Sequence, residues 1–191
     1  MTANYGMNKS ILKNNSPTRP VVLIGMMGAG KTSVGRALAG LMSVPFFDSD
    51  AEIEAAAGRR VADIFSDCGE AKFRRLEKYA IIRLLGGNAC VLSVGGGAFM
   101  DEATRAVIKE KALSVWLKVD KEILLERVLR TDSRPFLNGE NPKEKFETLL
   151  SEREPVYALA DLTVCCDGVP IIENAQKIMD ALQGALNSQT A

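Results

Sequence analysis

Histidine is absent from the 191 residues. No imidazole is available as a general base, as a metal ligand, or as the middle member of a Ser-His-Asp or Cys-His relay. Proton transfer must fall to a carboxylate, Lys, Tyr or Cys. Aromatic residues make up only 6%. Charge of one sign is not in excess: 24 Lys and Arg balance 24 Asp and Glu. That balance gives no global attraction to nucleic acid or an anionic membrane. No apolar run approaches the ~20 residues of a membrane span. The four cysteines, Cys68, Cys90, Cys165 and Cys166, form no CxxC pair and no spacing that implies zinc or a disulfide framework. Cys90 and Cys165 fall in apolar runs and are expected as small core hydrophobes. There is no internal repeat and no linker, so one domain is expected over 19–187. Residues 1–18 are polar and lack the apolar stretch of a secretory signal. They are expected as a disordered tail, 188–191 as a C-terminal tail, and the protein as cytoplasmic.

What is present alternates. The β-branched run 21–24 leads into a glycine-rich loop, and 31–42 then places Val34, Leu38 and Leu41 at helical spacing. Residues 44–47 form a second apolar run ending at Asp48-Ser49-Asp50, and 51–57 is helical in composition, with Gly58 suited to its end. A helix is expected over 70–85, with Phe73, Leu76, Ala80 and Leu84 on one face. Strands are expected over 90–94, 114–119 and 162–166. Helices are expected over 101–111, over a stretch after Asp120, from Asn141-Pro142 onward as N-cap and first helical residue, and over 171–186. Such alternation implies a parallel sheet with helical crossovers, a doubly wound α/β domain. Ligands of such sheets bind at the carboxyl ends of the strands. Those ends here carry 25–32, Asp48-Ser49-Asp50 and Gly95-Gly96-Gly97.

Residues 25–32, G-M-M-G-A-G-K-T, fit G-x-x-x-x-G-K-[ST] at every fixed position. Glycines let successive backbone N–H groups converge on phosphate oxygens, and the following helix adds its positive N-terminal end. Lys31 suits the β- and γ-phosphates, and Thr32 a magnesium ion. Gly28, Ala29, Gly30 and Ser33 complete the nucleotide cradle. The strand 90–94 carries no acid at its end, so the carboxylates that end the preceding strand, Asp48 and Asp50, are the candidates for magnesium and for a base. If the chain stays extended there, both point the same way. Helix N-capping by Asp48 or Ser49 is the competing reading. The glycine triplet either admits something close to the backbone or forms a mobile turn. Arg74, Arg134 and Arg153 suit bidentate recognition of carboxylate or phosphate, or else line a solvated face.

At these residues the chain resembles the shikimate kinase family. The resemblance runs from about 20 to 186. It rests on 25–32, F-D-S-D at 47–50, A-D-I-F with G-E and F-R-R-L-E over 62–77, Gly95–Gly97, R-P-F-L at 134–137 and E-R-E-P-V-Y at 152–157. It implies a three-layer αβα P-loop NTPase fold of the nucleoside-monophosphate-kinase type, with five parallel strands and a mobile lid over about 130–141. It implies transfer of the ATP γ-phosphoryl group to the 3-hydroxyl of shikimate, in the chorismate and aromatic amino-acid pathway. By position, Asp50 is the candidate base. Asp48 and Thr32 hold Mg2+. Arg74, Arg153, Gly96 and Gly97 hold shikimate, and Phe65 and Phe73 line its ring. Arg134 approaches the transferring group from the lid, and Arg130 lies against adenine. ATP and shikimate are the expected partners of a monomer, without nucleic acid or membrane. A kinase for another polyol acid or a nucleoside monophosphate, or a non-catalytic nucleotide-binding regulator, is the alternative. The retained Asp50 and Arg134 argue against the regulator.

Overall fold

The computed structural model describes residues 19–130 and 141–189. Five strands, β1 (Val21–Ile24), β2 (Phe46–Asp48), β3 (Val91–Ser93), β4 (Leu113–Lys118) and β5 (Leu162–Cys165), form one parallel sheet in the order β2-β3-β1-β4-β5. β1 is apolar at every position because it is central and covered on both faces; its four residues are at most 1% exposed. The crossovers run through α1 (Lys31–Met42), α2 (Ser49–Ala57), α3 (Val61–Leu85), α4 (Glu102–Lys111), α5 (Lys121–Leu129), α6 (Pro142–Tyr157) and α7 (Ile171–Gln189). Helices cover both faces of the sheet, as the alternation predicts. One continuous core runs from β1 to Ile178 and Leu182 of α7. A second, smaller core of Ile53, Ile64, Phe73 and Ala80 joins α2 to α3, with Val61 and Phe65 packed against it.

The register is direct. Leu23 of β1 pairs with Ser93 of β3 and Val115 of β4, and Asp48 of β2 pairs with Ser93. The three chemistry-bearing strand ends therefore lie side by side.

Several expectations need correction. β2 starts at Phe46 and stops at Asp48, and Asp50 lies in the first turn of α2. Asp48 and Asp50 therefore do not share the side of an extended strand. The chain turns helical because Asp48 Oδ1 accepts the Asp50 N–H at 3.1 Å, as an N-cap does. The helix expected over 70–85 begins at Val61 and is kinked at Gly69, whose φ of 74° and ψ of 168° are non-helical. On it Leu76 is 38% exposed while the neighbouring Glu77 is buried, because an ion pair lets the acid occupy the inner position. Cys90 and Cys166 are buried, but Cys165 is exposed on β5, an edge strand. Asn141 stands before Pro142 without capping through its side chain. It adopts the left-handed conformation at φ 67°, which Asn tolerates better than most residues, and its amide donates to Glu144 instead, at 3.2 Å.

Candidate active site

The loop from β1 to α1 turns through Gly28 (φ 83°) and Gly30 (φ 86°), a left-handed region that side chains with a Cβ seldom enter. Lys31, at the first position of α1, folds back so that Nζ donates to the Gly25 and Met26 carbonyls at 2.9 and 3.0 Å. That contact holds the ammonium inside the loop. Arg127 on α5 braces the other side by donating to the Gly28 carbonyl at 3.1 Å. Ala29 is buried beneath the loop, and Thr32 and Ser33 are exposed at its mouth.

Thr32 Oγ1 donates to Asp48 Oδ2 at 2.9 Å. The two oxygens of Asp48 thus have separate duties, one toward Thr32 and one capping α2. Both readings of that acid, a partner of Thr32 and a helix cap, hold at once. Ser49, fully buried, accepts the Gly95 N–H through its hydroxyl at 3.2 Å and ties β2 to the glycine triplet.

The triplet is a meeting point. A Cβ on Gly95 would stand 3.4 Å from Asp50 Oδ1 and 2.5 Å from Glu77 Oε1. One on Gly96 would stand 3.1 Å from Arg153 Nη1, and one on Gly97 would overlap the Arg74 guanidinium. Glycine is required here for space. The four charged side chains crowd the backbone, and any larger residue would displace one of them. Arg74 is held from several sides. Nη1 donates to Glu77 Oε2 at 2.6 Å, Nη2 donates to Glu70 Oε1 at 3.1 Å, and the guanidinium lies 5.8 and 5.4 Å from the Phe65 and Phe73 ring centres. Those two rings are 4.4 Å apart. Arg74 and Gly97 line a cavity of about 380 Å³ with Arg153, Met100, Leu149 and Glu152.

A larger cavity of about 460 Å³ lies between α5 and α6. Of the motif residues only Glu154 lines it, and its Lys121 and Glu147 already pair at 3.0 Å. The smaller cavity is the one whose walls match the chemistry.

Two oxygens in the site, Asp50 Oδ1 and Glu77 Oε1, are buried with no partner among the described residues. Burial pushes Asp50 above the ordinary carboxylate range, and the Asp48 charge adds to this, while Lys31 and Arg74 oppose it. Burial likewise raises Glu77 to about 7, against the pull of Arg74. An unpaired buried acceptor is costly, so Asp50 Oδ1 is suited to receive a hydroxyl proton.

The structure thus brings together Gly28, Ala29, Gly30, Lys31, Thr32, Asp48, Asp50, Phe65, Phe73, Arg74, Gly96, Gly97 and Arg153. It does not bring Arg130 to the loop. That side chain is 76% exposed and pairs with Glu126 at 2.6 Å, while Arg127, about one turn earlier, makes the loop contact. Arg134 lies outside the described residues. Sequence reading missed Ser49, Glu77, Arg127 and Tyr157, whose hydroxyl donates to the Gly96 carbonyl. For two of them a signal existed: Glu77 is i+3 from Arg74, and Tyr157 is i+4 from Arg153.

This arrangement recurs in known proteins. A family model described as shikimate kinase matches residues 27–183. A shikimate kinase of Cereibacter sphaeroides is 50% identical over 164 residues, covering 86% of this chain and 82% of that protein. One of Ruegeria pomeroyi is 52% identical over 155 residues, covering 81% and 80%. Among solved structures, the shikimate kinase from Acinetobacter baumannii in complex with shikimate superposes with a TM-score of 0.84 at 37% identity, covering 89% of this chain and 96% of that one. A gluconokinase from Sinorhizobium meliloti reaches 0.59 at 20% identity and shares the fold alone. With most of its length matched by the family model and by relatives at about half identity, the chain belongs to the shikimate kinase family.

Proposed function

We propose that the chain transfers the γ-phosphoryl group of ATP to the 3-hydroxyl of shikimate, giving shikimate 3-phosphate and ADP, as a step toward chorismate and the aromatic amino acids. The observation that carries this reading is the convergence of an unpartnered Asp50 oxygen with Arg74 and Arg153 around Gly95–Gly97, beside the phosphate loop. A basic pair suits a carboxylate, an apolar pair of rings suits a cyclohexene face, and a buried acid suits an attacking hydroxyl.

In the reaction the 3-hydroxyl oxygen bonds to the γ-phosphorus. The bond from that phosphorus to the β–γ bridging oxygen breaks, ADP leaves, and the hydroxyl proton passes to Asp50. Arg74 and Arg153 fix the acceptor carboxylate, and Phe65 and Phe73 line its ring. Backbone N–H groups of Gly28–Ser33 and the Lys31 ammonium hold the nucleotide, with Lys31 leaving the Gly25 and Met26 carbonyls for the phosphates. Arg134 neutralises charge on the transferring group, and Arg130 lies toward adenine. Positioning and charge stabilisation of this kind carry most of the catalysis in phosphoryl transfer.

Thr32 Oγ1 and Asp48 Oδ2, 2.9 Å apart, are hard oxygen donors that fit Mg2+. Among the described residues no cluster of three acids or cysteines could cage a metal. A magnesium ion held chiefly by phosphate oxygens and water agrees with this. Thr32 and Asp48 would hold the ion beside the nucleotide, where it would offset phosphate charge.

The working unit in this reading is one kinase domain over 19–187 with tails at 1–18 and 188–191, a lid over about 130–141, and a cytoplasmic monomer that engages neither nucleic acid nor membrane. Among the described residues no helix is long and apolar enough to cross a membrane.

A coupled ADP-release assay tests the reading, with shikimate, gluconate and nucleoside monophosphates offered in turn, with and without magnesium. Turnover with shikimate alone is expected. Turnover with another acceptor and none with shikimate would overturn it.

A further inference from the structure

Tyr157 heads the fully buried side chains by volume among the described residues, at 0% exposure. It ends α6 one turn after Arg153, so both residues face the same way. Its ring packs against Trp116 of β4 with centroids 6.0 Å apart. Its hydroxyl donates to the Gly96 carbonyl and lies 3.8 Å from Met26 Sδ in the phosphate loop. A Cβ on Gly96 would stand 3.5 Å from that hydroxyl, 3.1 Å from Arg153 Nη1 and 3.4 Å from the Gly25 carbonyl. One phenol therefore touches the glycine triplet and the phosphate loop and stands beside an acceptor arginine.

The Gly96–Gly97 peptide is trans. In a trans peptide the carbonyl and the following N–H point opposite ways. Fixing the Gly96 oxygen on Tyr157 fixes the Gly97 N–H on the far side. That N–H meets no acceptor among the described residues, and Gly97 lines the cavity with Arg74 and Arg153. Burial raises the phenol above its ordinary range, with the Arg153 charge opposing, which favours the protonated, donating form.

We propose that Tyr157 is a positioning residue, whose hydroxyl clamps the Gly96–Gly97 peptide so that the Gly97 N–H and the Arg153 guanidinium meet the acceptor from fixed directions. This rests on the acceptor site assigned above. Neither residue of the clamp touches a reacting atom; its effect is on acceptor binding.

Tyr157→Phe keeps the ring and its packing on Trp116 and removes only the hydroxyl. The Gly96 carbonyl then loses a buried donor, an effect that translates into a rise of roughly five- to fiftyfold in the shikimate KM. The ATP KM and kcat are expected to stay within about twofold, because the phosphate loop keeps its own contacts. A purely structural role would lower the melting temperature and move both substrates together or neither. An unchanged shikimate KM, or equal shifts for shikimate and ATP, overturns the clamp.

If the wild-type chain does not turn over shikimate, the functional reading fails while the clamp is still decided by the amide order parameter of Gly97 in 15N relaxation. A drop in the Phe variant supports the clamp, and an unchanged value refutes it.

Discussion

Replacing Gly97 by Ala isolates one contact. Gly97 sits at φ −93° and ψ −12°, a conformation alanine adopts readily, so the backbone has no reason to move. The new Cβ would stand 2.8 Å from Arg74 Nη1 and closer still to Cζ and Nη2. Ordinary contact starts near 3.4 Å. The guanidinium must therefore withdraw by about 1 Å. Arg74 is 24% exposed and has a way out toward solvent, whereas Glu77 at 2% cannot follow. The 2.6 Å bond between them would lengthen to about 3.6 Å, ending the hydrogen bond while leaving an ion pair. The lost bond costs about 1–2 kcal/mol, and the Gly-to-Ala gain in the unfolded state returns about 0.4–1 kcal/mol. Stability should change little. Catalysis should not: a displacement of about 1 Å in a substrate-positioning group can cost on the order of 100-fold. The shikimate kcat/KM is expected to fall about 10- to 100-fold at an unchanged ATP KM. A double-mutant cycle with Arg74→Ala identifies the cause. Once the guanidinium is gone the three atoms nearest the methyl group are gone with it, so Gly97→Ala should cost almost nothing more. Additive losses, or a single variant within twofold of wild type, would refute the reasoning.

Asp50→Asn should lower kcat by orders of magnitude while calorimetric ATP affinity persists, because the base is lost and the phosphate loop is not; retained turnover would remove Asp50 from catalysis. Glu77 governs a pH effect. Its folded value of about 7 lies above the ordinary 4.5, so its stabilisation is complete below about 4.5 and is lost as pH rises through about 7. Glu77→Gln should flatten urea-unfolding free energies between pH 5 and 8 by up to the order of 3 kcal/mol, and an equally steep profile would count against a raised Glu77. Gly69→Ala meets a backbone region that essentially only glycine occupies, at a cost of about 1–3 kcal/mol. It should weaken shikimate binding through Phe65, and D-Ala introduced at 69 by ligation should restore both properties; failure of D-Ala to do so would place the cause elsewhere.

The nucleotide half of the site was legible because it is local. Eight consecutive residues, 25–32, carry the loop, and the helix bounds 31–42 are those observed. The acceptor half was legible only as scattered motifs, since Asp50, Arg74 and Arg153 come from three elements that the sheet order alone brings together. Where sequence reading failed, a side-chain contact outweighed a periodic pattern. Asp48 capped α2 and ended an extension that period-two logic carried on to Asp50. Glu77, paired with Arg74, took the inner position assigned to Leu76. Arg127 and Tyr157 act through backbone carbonyls of distant loops; the spacing from Arg153 places Tyr157 on the site's face but does not name the carbonyl it binds.

The strand order has a use as a ruler. Parallel neighbours lie about 4.8 Å apart, so the ends of β1, β3 and β2 form three evenly spaced posts, to which the proposed reaction assigns the phosphate donor, the acceptor and the base in that order. The two substrates are thus mounted on different posts. Recutting the turn after β3, together with the helix faces that lean on it, should alter which alcohol is accepted while the phosphate loop goes untouched. The Thr32–Asp48 hydrogen bond, which spans all three posts, is the contact such a redesign must leave in place.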